Sequence, residues 1–393
     1  MKKLNVVLTG VPYFVGMAST TRVRNLIQPL LENDRIALSN LIANKGEFLE
    51  RFEAKGNIDG VEFIYCGKGS KNIFLLIKEF TRGLRFIKRV KAKGTKNILY
   101  CYQLPDITNI PFVLFAKALR YKVIIDLVED YSLTGKQTSF KDKIKKRSVL
   151  IAERLLPHYA TSCIGINTYL TNKLKVICKG KIPVYHIPIT VELKNFDKTA
   201  GSDQNSNRKE IFYGGSFSSR DGVYELIEVF DQLADIYPDL FLKITGDTGN
   251  QELKKKLVEA VEKAKNKSKI KLTGYLSYND YLQNLFNSGI CCIPRTQSEF
   301  ANASFPSKLS EYLAANKPII VSKTGEVEIY LKDKDNALLI EPGSKDELKE
   351  SIIYLLENSK LADDMGKKGR AIAEKYFDSN KHADLLFNIM SDC

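Results

Sequence analysis

The chain has 393 residues, of which 44% are hydrophobic and 27% are charged. These proportions are those of a globular protein and exclude a disordered chain, a collagen and a coiled coil, while the length predicts two domains. No apolar stretch approaches the roughly 18 residues of a membrane-spanning helix, and the run after Lys3 is too short for a secretion signal. Seven cysteines with only three histidines argue against a disulfide framework and a structural zinc site. We therefore expect a cytoplasmic protein with reduced thiols.

The net charge of +14 is unevenly distributed. Residues 1–190 carry 32 basic and 14 acidic side chains, whereas the remaining residues carry 28 and 32. A basic half indicates an anionic partner, such as a phospholipid surface, a phosphorylated substrate or nucleic acid.

Two segments concentrate the basic residues. In the first, four cations at helical spacing form one stripe: Lys78, Arg82, Arg85 and Arg89. The second is a cluster directly before an apolar run: Lys141, Lys143, Lys145, Lys146 and Arg147. Each segment is either a solvated helix face or a surface that docks on the anionic inner face of a cell membrane. Nucleic acid is disfavoured because the charged faces lack interleaved aromatic residues.

From the N-terminus onward, short β-branched or aromatic runs alternate with longer helical patterns, which predicts parallel sheets covered on both faces. The first half has runs at 4–8, 61–65, 97–102, 122–126, 162–166 and 183–187. The second half has runs at 210–213, 240–245, 269–273, 290–293, 318–322 and 337–340. The predicted fold class is α/β, with two doubly wound Rossmann-like domains facing across a cleft.

A polar segment separates the two halves where the charge balance changes. We predict an N-terminal domain over 1–190, a linker over 191–209 and a C-terminal domain over 210–375. The last helix, 376–393, is expected to pack back toward the N-terminal domain.

Two loops of the first half follow predicted strands and so face the expected cleft. The loop over 10–25 contains Gly16 and Arg22, and Arg22 either attracts phosphate or is simply solvated. After the strand at 122–126, Glu129 and Asp130 either orient a substrate hydroxyl or pair with the basic cluster.

One loop of the second half, 213–222, combines glycines with a cation. Gly215 and Ser216 precede Arg220, which lies near a predicted helix start, where backbone N–H groups and a cation can jointly hold phosphate. The alternative is an ordinary strand-to-helix turn with a surface arginine.

A second loop, 301–322, contains a turn before a predicted helix at 307–315 that Asn316 caps in the left-handed conformation. Lys308 and Glu311 lie three residues apart, on neighbouring positions of the first turn. They form either a surface ion pair or a site in which Lys308 holds a diphosphate and Glu311 accepts hydrogen bonds from ribose.

Four segments occur in the order and approximate spacing of a known family: YGGSFSSRDG, LKITGD, KLTGYLSYNDYLQNL and FPSKLSEYLAANKPIIVS. On these segments residues 210–375 resemble the retaining glycosyltransferases of the GT-B fold, family four, and residues 1–190 resemble them more loosely. The resemblance implies a nucleotide-sugar donor bound mostly by the second domain, an acceptor bound by the first, and no metal or other cofactor.

Carried over by position, the resemblance also implies roles for single residues. Glu311 matches the second glutamate of the family's Glu-x7-Glu motif, which holds the ribose, whereas Ala303 stands where the first glutamate is expected. Arg220 is similar to the cation that holds the diphosphate, and Ser216 replaces the usual arginine before it. The implied donor-binding residues are Gly215, Ser216, Tyr275, Ala303, Ser304, Phe305, Ser307 and Glu311.

The resemblance predicts a hexosyltransferase that moves a sugar to a glycan or lipid-linked acceptor with retention of configuration, in cell-surface polysaccharide synthesis. The implied catalytic residues are Arg220, Lys308, Glu311, Asp130 and Glu129. The departure at Ala303 leaves two alternatives: a non-catalytic GT-B protein that binds a nucleotide or glycan, and a GT-B sugar-nucleotide epimerase.

Overall fold

The computed structural model describes residues 3–14, 18–43, 54–67, 73–133, 140–197, 207–218, 220–248 and 250–393. The chain forms two units, the first comprising Met1–Pro188 with Ser379–Cys393 and the second Ile189–Asp378. Both are parallel α/β sheets with helices on their faces, as the sequence predicts.

The described strands form one sheet of eight strands in the first unit and one of six in the second. Those of the first unit are β1 (Leu4–Thr9), β2 (Ile36–Ile42), β3 (Lys55–Ile58), β4 (Val61–Tyr65), β5 (Asn97–Tyr102), β6 (Lys122–Leu127), β7 (Ser162–Gly165) and β8 (Val184–His186). Those of the second are β9 (Asn207–Gly214), β10 (Phe241–Thr245), β11 (Ile270–Gly274), β12 (Ser288–Ile293), β13 (Ile319–Ser322) and β14 (Leu338–Ile340).

The helices that precede residue 188 are α1 (Ala18–Glu32), α2 (Ile73–Arg89), α3 (Ile110–Ala118), α4 (Phe140–Arg154), α5 (Leu156–Tyr159) and α6 (Thr168–Cys178). Those of the second unit are α7 (Lys194–Asp197), α8 (Val223–Ile236), α9 (Gln251–Lys263), α10 (Tyr278–Asn287), α11 (Glu299–Asn302), α12 (Leu309–Ala314), α13 (Val327–Tyr330), α14 (Lys345–Glu357) and α15 (Ser359–Tyr376). The last helix, α16 (Ser379–Asp392), returns to the first unit, where it packs on α1.

The first sheet has the strand order β3-β4-β2-β1-β5-β6-β7-β8, and only the pair β3 and β4 is antiparallel. Every residue of β1 is buried, because both faces of the strand are covered by helices. The strand order reverses between β1 and β5, so the loops after these strands meet at the carboxyl edge of the sheet.

Asn40 in β2 supports the loop after β1. Its side-chain amide donates to the carbonyls of Leu8 and Val11, and its oxygen accepts the N–H of Tyr13 at 3.1 Å. A buried amide with three hydrogen bonds fixes the path of a loop that has no regular structure of its own.

Arg22 corrects a prediction, because it is buried inside the first unit. Its Nε and Nη2 donate to the two carboxylate oxygens of Asp126 at 2.9 and 2.8 Å, and its guanidinium also donates to the carbonyls of Ile187 and Pro188. Burial alone would lower the pKa of Arg22, but the Asp126 carboxylate raises it above its usual value. Arg22 therefore ties α1 to β6 and is not a solvated cation.

The second sheet has the order β11-β10-β9-β12-β13-β14, with all neighbouring strands parallel. Its core lies between this sheet and α8, α9 and α14, with Phe230 and Ile352 fully buried. The order reverses between β9 and β12, which makes the carboxyl ends of these two strands the switch point of the unit.

Three details differ from the sequence predictions. The strands β2 and β3 were not predicted, because polar Ser39 and Asn40 interrupt the apolar run of β2. Residues 191–197 of the predicted linker, and residues 189 and 190 of the predicted N-terminal domain, belong to the second unit, where Phe196 is buried. The helix predicted over 307–315 is limited to α12, and Asn316 has the expected left-handed backbone, with φ of 62°.

Replacing Arg22 with Met is expected to destabilise the first unit by about 3–5 kcal/mol, because Asp126 would stay buried without its partner. Urea unfolding of the full chain measures the change. Arg24→Met is the matched control, since Arg24 is exposed on the same helix and its replacement should change stability by less than about 0.5 kcal/mol. Equal effects of the two substitutions would contradict the assignment.

Candidate functional site

Two loops meet at the switch point of the second sheet. The loop after β9 runs over 214–222, and the segment after β12 runs from Pro294 to Lys308. Ligands of open parallel sheets bind in the crevice at this position. These two segments contain most of the residues that the sequence assigns to the donor site.

Gly222 allows the two loops to touch. Its φ is 72°, and a Cβ at this position would lie 1.7 Å from the carbonyl oxygen of Pro294, so no other residue fits without a backbone shift. The N–H of Thr296 donates to the carbonyl of Arg220 at 3.0 Å. The backbones of the two loops are thereby held together.

Asp221 shapes the loop after β9. Its Oδ2 accepts hydrogen bonds from the hydroxyls of Ser216 and Ser218, both at 2.6 Å, and from the N–H of Ser218 at 3.1 Å. The Ser216 hydroxyl is thus used within the loop. Gly215 likewise donates its N–H to the carbonyl of Thr245 at 3.0 Å.

Two arginines stand beside each other at the switch point. The guanidinium of Arg220 lies over the ring of Phe300, 3.8 Å from its centroid, and is exposed on its other side. Arg295 donates from Nη1 to the hydroxyl of Ser304 at 2.9 Å. Within the described ranges, neither guanidinium forms a salt bridge with a carboxylate.

Burial lowers the pKa of Arg295, and the positive charge of Arg220 lowers it further, although Asp221 acts in the opposite direction. Two cations whose charge is only partly balanced would be stabilised by an anion between them. The arrangement therefore favours binding of a phosphate or diphosphate.

Glu311 lies at the start of α12 and is buried. Its Oε2 accepts hydrogen bonds from Tyr281 Oη at 2.7 Å and from Lys308 Nζ at 3.0 Å. The Lys308 ammonium also lies 4.1 Å from the centre of the Tyr281 ring. Burial and the Glu311 charge raise the pKa of Tyr281, which therefore remains a hydrogen-bond donor at neutral pH.

Tyr312 connects this group to the loop after β9. Its hydroxyl accepts the N–H of Gly214 at 2.7 Å, and its ring contacts that of Phe212 in β9. Since Tyr312 follows Glu311 directly, the carboxylate is held next to the end of β9. The structure thus brings Lys308, Glu311 and Tyr281 together beside the end of β9, and Arg220 lies in the loop that follows this strand.

Other predicted donor residues lie elsewhere or have structural contacts. The ring of Phe305 packs against Tyr330 and Phe377 in the core, and the assignment of this residue to the donor site stays a prediction. Ala303 is buried at the end of α11, Ser307 is exposed before α12, and Tyr275 is exposed after β11, two strands from β9.

Two residues of the site were not predicted as members, Tyr281 and Arg295. The signal for Arg295 is its place two residues after β12, the strand beside the reversal of the sheet. Tyr281 lies one turn after Ser277, the N-cap of α10, which places its ring on the buried side of that helix.

In the first unit, Asp130 is saturated by donors. It accepts hydrogen bonds from Ser132, Tyr169 and Lys173. Burial by itself would raise the pKa of Asp130, but these hydrogen bonds lower it below its usual value. Asp130 is therefore ionised at neutral pH and pairs with Lys173, which lies outside the basic cluster that the sequence analysis named as its partner. Its role at a substrate hydroxyl stays a prediction. Glu129 beside it is exposed, and Gly16 lies outside the described residues.

The predicted basic stripe lies on the exposed face of α2. Arg89 pairs with Glu62, whereas Lys78, Arg82 and Arg85 have no salt bridge in the part of the chain that the structure describes. These cations line a cavity of about 250 Å³ together with Phe86 and Ile64.

Two kinds of feature are absent from the described residues. No group of three or more His, Cys, Asp or Glu side chains among them could hold a metal ion. No helix among them is long and apolar enough to cross a membrane.

Comparisons with known proteins relate this sequence to glycosyltransferases. Residues 195–372 match the family model of glycosyl transferases group 1. The chain is 28% identical over 216 residues to an uncharacterized glycosyltransferase of Methanocaldococcus jannaschii. The aligned region covers 52% of this chain and 56% of that protein. The chain is 29% identical over 217 residues to one of Haemophilus influenzae, 55% of this chain and 58% of that protein. The chain thus spans somewhat more than half the length of these relatives.

Solved structures resemble the whole chain. Sucrose-phosphate synthase from Thermosynechococcus elongatus superposes with a TM-score of 0.76 at 16% identity, covering 99% of both chains. Anabaena HepE in complex with UDP-glucose superposes with a TM-score of 0.74 at 14% identity, covering 99% of this chain and 100% of that one. The fold is that of the GT-B glycosyltransferases, and residues 195–372 are similar to the group 1 glycosyl transferases.

Proposed function

We propose that this chain is a retaining hexosyltransferase that moves a sugar from a nucleotide-sugar donor to a glycan or lipid-linked acceptor in cell-surface polysaccharide synthesis. The observation that carries the proposal is the pair Arg220 and Arg295 at the switch point of the second unit, where neither guanidinium has a carboxylate partner in the described ranges. The match to group 1 glycosyl transferases and the UDP-glucose bound by HepE support a nucleotide-sugar donor.

The two arginines and Lys308 would hold the diphosphate of the donor. Negative charge grows on this group as the bond to the anomeric carbon breaks, and fixed cations aimed at it lower the barrier. Because neither guanidinium has a carboxylate partner in the described ranges, both are available to the leaving group. No metal is required in this account, since the three cations supply the charge.

Glu311 would position the nucleoside by accepting hydrogen bonds from the ribose hydroxyls. Tyr281 and Lys308 both bind its Oε2 and so fix the rotamer of the carboxylate. Lys308 would in this way serve two groups, the diphosphate and the carboxylate beside it.

The acceptor would be oriented by the first unit through Glu129. This carboxylate is exposed directly after β6, at the carboxyl edge of the sheet, whereas Asp130 holds the loop in place. The cations of α2 would bring the protein to an anionic membrane that carries a lipid-linked acceptor, so that the enzyme works as a peripheral protein on the cytoplasmic side.

A non-catalytic GT-B protein is the second candidate, and Ala303 favours it. This residue lies buried at the end of α11, and its methyl side chain offers no carboxylate to the sugar. Such a protein would bind the nucleotide without turnover. A sugar-nucleotide epimerase would instead convert the donor without any acceptor.

Replacing Glu311 with Gln is expected to lower kcat/KM for sugar transfer by about ten- to a hundredfold, because a hydrogen bond to a charged group contributes about 1.5–3 kcal/mol. Transfer of radiolabelled sugar from the donor into a membrane lipid extract measures this. Glu328→Gln is the matched control, since Glu328 is exposed in the same unit. Unchanged transfer by Glu311→Gln would contradict the role of Glu311, and donor binding without any transfer by the wild type would favour the non-catalytic candidate.

Replacing Lys78, Arg82 and Arg85 together with Gln is expected to weaken binding to vesicles containing phosphatidylglycerol by about a hundredfold, at about 1 kcal/mol per cation. Vesicle sedimentation measures the affinity. The triple variant of Lys263, Lys271 and Lys360 to Gln removes the same charge from exposed sites of the second unit. Equal loss by both variants would show that net charge, and not α2, governs binding.

A further inference from the structure

Helix α4 exposes a row of large apolar side chains. Phe140 is 76% exposed, Ile144 41%, Ile151 49% and, directly after the helix, Leu155 51%. Spacings of four, seven and four residues place all four on one face of the helix. Exposing a large apolar side chain to water is unfavourable. A continuous row of them therefore indicates a surface that binds a partner or a membrane.

The same face is cationic and lacks acidic residues. Lys143, Arg147 and Arg154 flank the apolar row, are exposed, and form no salt bridge in the described ranges. The acidic residues of α4 lie on its other side, where Glu153 pairs with Lys173. Long basic side chains can keep their charge in a polar layer while their stems lie along apolar groups.

The opposite face of α4 is fixed to the first unit. Val149 and Ala152 are buried there. The hydroxyl of Ser148 accepts the N–H of Ile107 at 2.9 Å, and Lys145 pairs with Asp106 at 3.3 Å. These contacts set the rotation of the helix, so the apolar row points away from the core of its own unit.

We infer that α4 inserts in the plane of an anionic bilayer, with its apolar row at the acyl boundary and its cations on the lipid phosphates. Charge complementarity selects this occupant, because the apolar row is bordered only by cations. The proposed function also places the protein on an anionic membrane, but through the cations of α2 alone. Helix α4 would add a hydrophobic contact with the same membrane. It stands or falls independently of sugar transfer.

The chain has no tryptophan, so a single introduced tryptophan reports on its own position. Ile151→Trp is expected to show a blue shift of its emission, and quenching by brominated lipid, when vesicles containing phosphatidylglycerol are added. Val258→Trp is the matched control, since Val258 is 50% exposed in α9 of the second unit, and its emission should not change.

Serine substitution tests the energy of the contact. Replacing Phe140, Ile144, Ile151 and Leu155 with Ser should lower vesicle partition at high salt by about tenfold or more, because salt weakens the electrostatic contact and leaves the hydrophobic one. The control replaces four exposed apolar residues of the second unit with Ser: Ile236, Val258, Ile329 and Leu361. Circular dichroism confirms that both variants are folded.

Three results would overturn the inference. The first is an emission of Ile151→Trp that vesicles do not change. The second is an equal loss of partition in both serine variants. The third is a blue shift without vesicles that grows with protein concentration, which would identify a second copy of the chain as the occupant. None of these readouts depends on a donor or on turnover, so failure of the proposed transferase reaction would be seen separately.

Discussion

The candidate site depends on the close approach of two backbone segments at the switch point of the second sheet. Gly222 lies so near the carbonyl of Pro294 that a side chain at this position would collide with it. This contact and the hydrogen bond between Thr296 and Arg220 hold the two loops side by side. A parallel sheet provides the edge, but this glycine sets how closely Arg220 and Arg295 can stand.

Local charge, not net charge, decides what this site can bind. Residues from 191 onward are slightly acidic as a whole, with 28 basic and 32 acidic side chains. Even so, Arg220 lies on an aromatic ring and the half-buried Arg295 donates a hydrogen bond to a serine hydroxyl. Keeping these cations apart from carboxylates costs stability in the free protein, and an anionic ligand offsets that cost. Arg22 is the contrasting case, because Asp126 already balances its charge and it needs no anionic ligand.

The sequence predicts most of the strands because their apolar runs are short, continuous and bounded by turn residues. It misses β2, since the buried Asn40 looks like a surface residue until its three hydrogen bonds to the loop after β1 are known. Arg22 and Asp126 lie 104 residues apart, and no local sequence pattern predicts that they form an ion pair.

Within the site, the residues that were predicted have a local sequence pattern, and those that were missed do not. Arg220, Lys308 and Glu311 lie in loops with recognisable spacing, whereas Tyr281 and Arg295 join them only through the topology of the sheet. The position of Phe305 in the motif likewise did not predict that its ring packs against Phe377 in the core.

The most direct test of the central claim is thermal unfolding of the full chain with UDP, GDP, ADP or CMP and their sugar conjugates, each in excess. A ligand that binds only the folded state adds about 2.7 kcal/mol of stability at a hundredfold excess over its Kd. One nucleoside diphosphate class is expected to raise the midpoint, and Arg295→Gln is expected to remove most of this response. A midpoint that no nucleotide raises would contradict a donor site at the switch point of the second unit.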